Sequence, residues 1–273
     1  MNGNIYLVET ITNLQVGDMG DSFSVVDKCV QRDALTGYPA TYASSLKGAL
    51  RNAAEADAQM KEAVAAVFGE DVTSEKSSKG TYTFHDAHIL FYPVRSNLRP
   101  YFLATCPSML RDAAELCRLA DKGCAAKRLE KLMKLEPGKL YVGKSIAGAN
   151  VKIEAENVLL DEKVCSDTDV NAVLGWLGNE PGIALLSDKD MQELMEELPV
   201  VARNKLENGI SKTLWYEELV PRKTFFLTIM TTEQDNDSFE KFMGSGENER
   251  KPRCFQIGAN ATVGYGLCRF TTL

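Results

Sequence analysis

Residues 25–51 set Asp27 ahead of four cations. Asp27 follows Val25 and Val26 in an extended stretch, and Lys28, Arg32, Lys47 and Arg51 come after it. A carboxylate placed this way can bind a divalent ion or take a proton from a hydroxyl. It can equally cap a backbone N–H, and Asp18, Asp21 and Asp33 compete for either role. Lys47 and Arg51 lie in SSLKGALR, so on a helix they share one face. Lys47 falls in the first turn, where free N–H groups and the helix dipole also favour anions. Two cations over a helix N-terminus seat a phosphate; the same pair also suits an ordinary solvated face.

Other candidates carry less. His85 and His88, in FHDAH, are the only histidines. Such a pair can do acid–base work in a ribonuclease. On a strand these positions point to opposite faces, so a structural role fits both. GDMGD at 17–21 and GANATVGYG at 258–266 can bring backbone close to phosphates. Neither matches the P-loop or the G-x-G-x-x-G pattern, which argues against an NTPase or a Rossmann site. Seven cysteines, an odd number with no C-x-x-C pair, read as reduced, mostly buried thiols.

A chain of 273 residues with 44% hydrophobic and 25% charged side chains must position these groups. That is ordinary globular composition. No linker or repeat divides it, so one domain is expected over 1–273. Residues 4–11 read as a strand, 13–24 as a loop, and Gly37 and Pro39 mark a turn. Ser44 is the expected N-cap of a helix running to Phe68. Strands are expected at 80–92, 139–143, 149–155, 213–219 and 223–232, and helices at 106–120, 125–135, 168–178 and 187–204. A polar loop with one helical turn follows, then a strand, a Gly-rich turn and a last strand. Interleaved helices with a strand at each end predict an α+β, ferredoxin-like sheet.

The net charge of −7 opposes polyanion binding at first sight. Residues 154–198, however, hold 12 acidic and 2 basic side chains, leaving 26 acidic against 29 basic elsewhere. One acidic block thus masks a mildly basic remainder that permits a cationic groove. No apolar run is long enough to span a bilayer, and MNGNIYLVETI lacks a basic leader before its apolar stretch. A cytoplasmic protein without a membrane partner is expected.

The order of short motifs is more specific than any one of them. Along the chain stand V-D-x-x-x-x-R-D from Val26, T-G-Y-P from Thr36 and S-S-L-K-G-A-L-R from Ser44. F-H-D-A-x-I-L-F-Y-P-V-R-S and A-T-C-P-S-M-L-R follow, then L-W-Y-E-E-L-V-P-R-K-T-F-F and F-Q-I-G-A-N-A-T-V-G-Y-G-L. This resembles the RAMP superfamily, and more narrowly the repeated backbone subunit of the Cmr-type (type III-B) CRISPR effector complex. Type III-A relatives show D-S-P-x-x-R-D where this chain has Asp27 to Asp33, which favours the Cmr branch.

The resemblance implies a ferredoxin-like (RNA-recognition-motif-like) RAMP palm with helical insertions and a β-hairpin thumb. The thumb is expected within Arg203–Arg222, and the acidic helical insertion, about 154–204, on an outer face or against a protein partner. Implied partners are a CRISPR guide RNA, a complementary single-stranded target RNA, further copies of the chain and other subunits of the Cmr complex. Copies would stack along the guide while each thumb displaces a nucleotide pair. Asp27 matches the catalytic position and the ligand of a divalent metal, Mg²⁺. Lys47 and Arg51 match residues that hold the guide backbone, with Lys28, Arg32, Ser44 and Ser45 beside them. Gly258, Gly264 and Gly266 match a glycine-rich loop near the same groove. The implied activity is target cleavage at regular intervals, the ribose 2′-OH attacking to leave a 2′,3′-cyclic phosphate. The alternative is a non-catalytic RNA-binding scaffold in the same kind of complex.

Overall fold

Unbroken apolar runs mark the central strands. Ile5 to Val8 and Phe225 to Leu227 are buried at every position. Successive strand side chains point to opposite faces, so such a strand must be covered on both. Ile5, Leu7 and Leu227 accordingly enter one core and Tyr6, Val8 and Phe226 the other. A computed structural model describes residues 2–17, 26–70, 78–146, 153–178, 182–245 and 251–273.

In chain order the strands are β1 (Asn2–Thr10), β2 (Ala40–Thr41), β3 (Tyr82–Phe84), β4 (Ala87–Val94), β5 (Phe102–Thr105), β6 (Lys139–Val142) and β7 (Ile153–Ala155). They continue as β8 (Val158–Val164), β9 (Ile183–Leu185), β10 (Val200–Glu207), β11 (Ile210–Glu218), β12 (Phe225–Thr232), β13 (Arg253–Gln256) and β14 (Leu267–Thr272). The helices are α1 (Ala43–Ala56), α2 (Val64–Phe68), α3 (Pro107–Leu119), α4 (Gly123–Met133), α5 (Thr168–Trp176), α6 (Asp188–Glu196) and α7 (Asp237–Met243).

One large sheet runs β13-β14-β1-β12-β4-β5-β9-β6-β8-β7, with β2 on β4 and β3 on β12. Strands β10 and β11 form a separate two-stranded ribbon. Leu46 and Leu50 of α1, Phe68 of α2 and Phe239 of α7 close the core beneath one face. Leu110 of α3, Leu129 of α4 and Val173 of α5 close the other. The α+β class with a hairpin is what the sequence predicts.

Several expected elements move. The helix expected to reach Phe68 breaks after Ala56, where Asp57 accepts the Gln59 N–H at 2.8 Å and so competes with helix continuation. Ser44 is not the N-cap: Tyr42 holds that position, and Asp86 accepts the Ala43 N–H at 2.6 Å. The helix expected at 187–204 ends at Glu196, because Pro199 cannot continue it and β-branched Val200 and Val201 begin β10. The acidic stretch 154–204 is therefore mixed in structure, not a helical insertion. Its β9 lies inside the sheet between β5 and β6. Asp18 and Asp21 lie outside the described residues.

Candidate nucleic-acid interface

The hairpin β10–β11 turns at Asn208 and Gly209, both in the left-handed region at φ 51° and 78°. Asn-Gly supplies that pair of conformations at low cost, and the resulting twist matches two antiparallel strands. The segment after Val26 docks onto the hairpin's root. Asp27 and Lys28 each donate their N–H to the Tyr216 carbonyl at 3.1 Å, and Glu218 donates its N–H to the Lys28 carbonyl at 2.9 Å. The Asp27 carboxylate is part of this seam: Oδ2 accepts the Tyr216 N–H at 2.7 Å while the residue stays exposed.

Beneath the seam lies a carboxylate that sequence reading passed over. Glu217 is fully buried. Its Oε1 accepts from Lys28 Nζ at 2.8 Å and from the Trp215 indole at 2.7 Å. Its Oε2 meets Arg203 at 2.8 Å and the Asn260 amide at 3.0 Å. Burial works to raise this carboxyl, but the bonds from Lys28 and Trp215 and the charge of Arg203 prevail and hold it below the usual range. Lys28 also stands 5.3 Å from the Trp215 ring centre, and Arg203 4.6 Å from that of Tyr265. One buried charge thus ties together the Asp27 segment, both hairpin strands and the glycine-rich loop.

That loop needs its glycines at two positions. A Cβ on Gly258 would sit 2.3 Å from the Gln15 carbonyl, and one on Gly266 1.9 Å from that of Ile257. Both have φ near +77°. Gly264 also has positive φ but faces open space. The contact with Gln15 seats the loop so that Asn260 reaches Glu217.

The expected RNA-binding cations divide into two kinds. Arg32 is held internally: it meets Glu218 at 2.5 Å and donates to the carbonyls of Gly37 at 2.8 Å and Met195 at 2.7 Å. Lys47 on α1 has no ion partner among the described residues, and Arg51 pairs with Glu55 at 2.8 Å. Ser44 is exposed, whereas Ser45 accepts from Gln31 at 3.0 Å. Gln31 also accepts the Tyr42 N–H at 2.8 Å, so the start of α1 is tied to the strand-like segment carrying Asp27.

The histidines have separate partners, although only His88 lies on a strand. His85 lies between β3 and β4 and meets Thr231 at 3.3 Å; His88 stands 3.8 Å from Asp33. Among the described residues no three His, Cys, Asp or Glu side chains converge as a metal site. None of the described helices is long and apolar enough to cross a membrane.

Comparison with known proteins accords with this architecture. The RAMP superfamily model matches residues 7–269. A curated relative, the CRISPR system Cmr endoribonuclease Cmr4 of Pyrococcus furiosus, is 29% identical over 278 residues, spanning 96% of this chain and 92% of its own length. A chain of the type III-B Cmr-beta complex in its apo state superposes with TM-score 0.79 at 23% identity, covering 100% of this chain and 97% of that one. The same complex bound to cognate target RNA gives 0.77 at 21% identity and the same coverage. Oligomeric Cmr4 from Pyrococcus furiosus gives 0.68 at 21% identity, covering 100% of this chain and 99% of that one. At such identities these structures bear on the fold, and the family model spans nearly every element of it: the chain belongs to the RAMP superfamily.

Proposed function

We propose that this chain is a backbone subunit of a type III-B CRISPR ribonucleoprotein, and that it binds guide RNA in successive copies and cuts complementary target RNA at regular intervals. The observation that carries the cleavage reading is the place of Asp27: an exposed carboxylate, with one oxygen fixed by the Tyr216 N–H, at the root of a projecting hairpin. RNA brings its own nucleophile, the ribose 2′-OH. A regular A-form duplex holds that oxygen out of line with the scissile phosphorus. Displacing a nucleotide lets the backbone approach in-line geometry, and such orientation is worth up to ~7–11 kcal/mol. Unstacking a base costs on the order of a few kcal/mol.

The hairpin tip, with Ile210 beside the Asn208–Gly209 turn, supplies an apolar wedge of the kind that parts stacked bases. Asp27 then takes the 2′-OH proton while Lys28, held by Glu217, offsets charge on the phosphate. The oxygen attacks phosphorus as the P–O5′ bond breaks, the departing 5′-oxygen takes a proton from water, and the other product ends in a 2′,3′-cyclic phosphate. Lys47 and Arg51 lie along the guide backbone. Asp27 suits the single carboxylate that Mg²⁺ takes in phosphate-rich sites, and the ion when bound would neutralise phosphate charge.

A second reading has its own support. The bond from Tyr216 gives Asp27 a structural task, so the chain could scaffold RNA without cutting it. Asp27→Asn separates the two, because an amide oxygen still accepts the Tyr216 N–H but takes up no proton. The variant should bind guide and target as the wild type does and cut roughly 10²–10⁴-fold more slowly. Undiminished cleavage on a denaturing gel would favour the scaffold. EDTA added to the wild-type reaction tests the Mg²⁺ requirement.

A further inference from the structure

Two aromatic side chains at the root of the hairpin stand outside both cores. Trp176, at the end of α5, packs against the core on its side of the sheet. Trp215 and Tyr265 are half-buried and, among the described residues, belong to neither core. A large ring left partly bare beside cations suits a flat, π-faced ligand.

Their surroundings fix how they are held. The register sets Trp215 directly opposite Arg203, so the two share a face of the ribbon. Glu217 lies two residues further along the same face, and its bond from the indole N–H, at 2.7 Å, pins the plane of the ring. Lys28 Nζ stands 5.3 Å from the Trp215 ring centre, and the Arg203 guanidinium 4.6 Å from that of Tyr265. Both cations are themselves held by Glu217 at 2.8 Å. Cation and ring thus alternate along one strip, and two cations against one carboxylate leave it net positive. Surfaces for single-stranded nucleic acid have this composition, rings stacking on bases and cations meeting phosphates. The strip also adjoins Asp27. Trp215 immediately precedes Tyr216, whose N–H holds the Asp27 carboxylate at 2.7 Å, and consecutive Cα atoms stand ~3.8 Å apart.

We propose that Trp215 holds the reacting nucleotide: its indole stacks on the base of the target residue whose 2′-OH attacks, and that stacking sets the ribose against Asp27. Tyr265 is the next ring along the strip. This rests on the cleavage reading above and names what grips the nucleotide once it leaves the helix. Every base has a π-face, so the grip works for any target sequence. The bond to Glu217 fixes the ring beforehand, so little side-chain freedom is lost on binding. The proton still goes to Asp27.

Single-turnover cleavage by the full chain, assembled on guide RNA with its partner subunits, tests the assignment. Trp215→Ala should cut a normal target roughly ten- to a hundredfold more slowly, the worth of one base–aromatic stack. Trp215→Phe keeps a ring but loses the bond to Glu217, and should recover most of that rate. A target with an abasic ribonucleotide at the cutting position should be cut slowly by wild type. Trp215→Ala should slow that target no further, since both changes remove the same contact. Three results overturn the proposal: undiminished cutting by Trp215→Ala, Trp215→Phe as slow as Trp215→Ala, or losses from variant and abasic target that multiply. Fluorescence keeps this question apart from the cleavage reading. A 2′-deoxynucleotide at the cutting position removes the nucleophile, and the difference in emission between wild type and Trp215→Phe reports Trp215 alone. That emission should be quenched by a deoxy target carrying a base there and not by its abasic counterpart. Quenching in a wild-type chain that leaves ordinary target uncut upholds the stacking and removes the cleavage reading. Cutting without base-dependent quenching overturns the stacking and leaves the cleavage reading intact.

Discussion

Glu217 concentrates more of the interface than any other side chain. Four donors from the Asp27 segment, the hairpin and the glycine-rich loop share its two oxygens, and it has no water contact. Replacing it by alanine strands Lys28 and Arg203 beside a low-dielectric pocket. Breaking one partner of a buried pair typically costs about 3–5 kcal/mol, and the half-exposed Lys28 places this case at the low end. Urea denaturation should show Glu217→Ala least stable, Glu217→Gln intermediate and wild type most stable, since the amide keeps an acceptor but not the charge. The sequence shows W-Y-E-E plainly, yet strand alternation sends 217 and 218 to opposite faces. Nothing local says that both faces are covered there, one carboxylate taken by Lys28 and Arg203 and the other by Arg32. Asp27 was legible because it stands beside a matched motif. Its bond to Tyr216 was not, because 189 residues separate the two.

At the scale of elements, α1 and the hairpin differ in how openly the sequence declares them. The hairpin announces its turn by Asn208-Gly209, but the acidic run before Pro199 is a good helix former and carries the predicted helix to residue 204, into the first half of β10. The apolar spacing of Leu46, Leu50 and Ala54 marks α1 clearly, whereas its start depends on Asp86, a residue far along the chain. That carboxylate already places one anion at the first turn, so guide affinity there must come chiefly from side-chain charge. Lys47→Ala combined with Arg51→Ala should weaken guide binding whatever its sequence. The salt dependence, read by filter binding, should fall by roughly 1–2 in log–log slope, as expected for two phosphate contacts on a single strand. Unchanged affinity and slope would remove both residues from the interface.

For the whole molecule, carboxylate chemistry sets the acid limit of stability. Glu217, Asp33 and Asp188 are all held below their ordinary range: burial alone would raise each, but hydrogen bonds from Lys28 and Trp215, from Thr36 and from Ser108 prevail. A depressed folded-state value means that the unfolded chain binds more protons. The stabilisation is then complete above the unfolded carboxylate values and disappears as pH falls through the folded ones. Asp112, raised chiefly by burial, works modestly the other way. Urea midpoints should hold from pH 7 to about 5 and drop progressively below about pH 4. The α+β class was legible because covered strands and amphipathic helices have different periods. The sheet's order was not, since pairing partners are chosen by long-range packing rather than by neighbouring residues. One such pairing has a consequence for synthesis. Strand β1 sits between β12 and β14 and is hydrogen-bonded to both. Strand β1 therefore leaves the ribosome well ahead of β12 and waits for it, roughly ten to forty seconds at ordinary translation rates. During that interval the apolar run from Ile5 to Val8 is a natural client for holding chaperones.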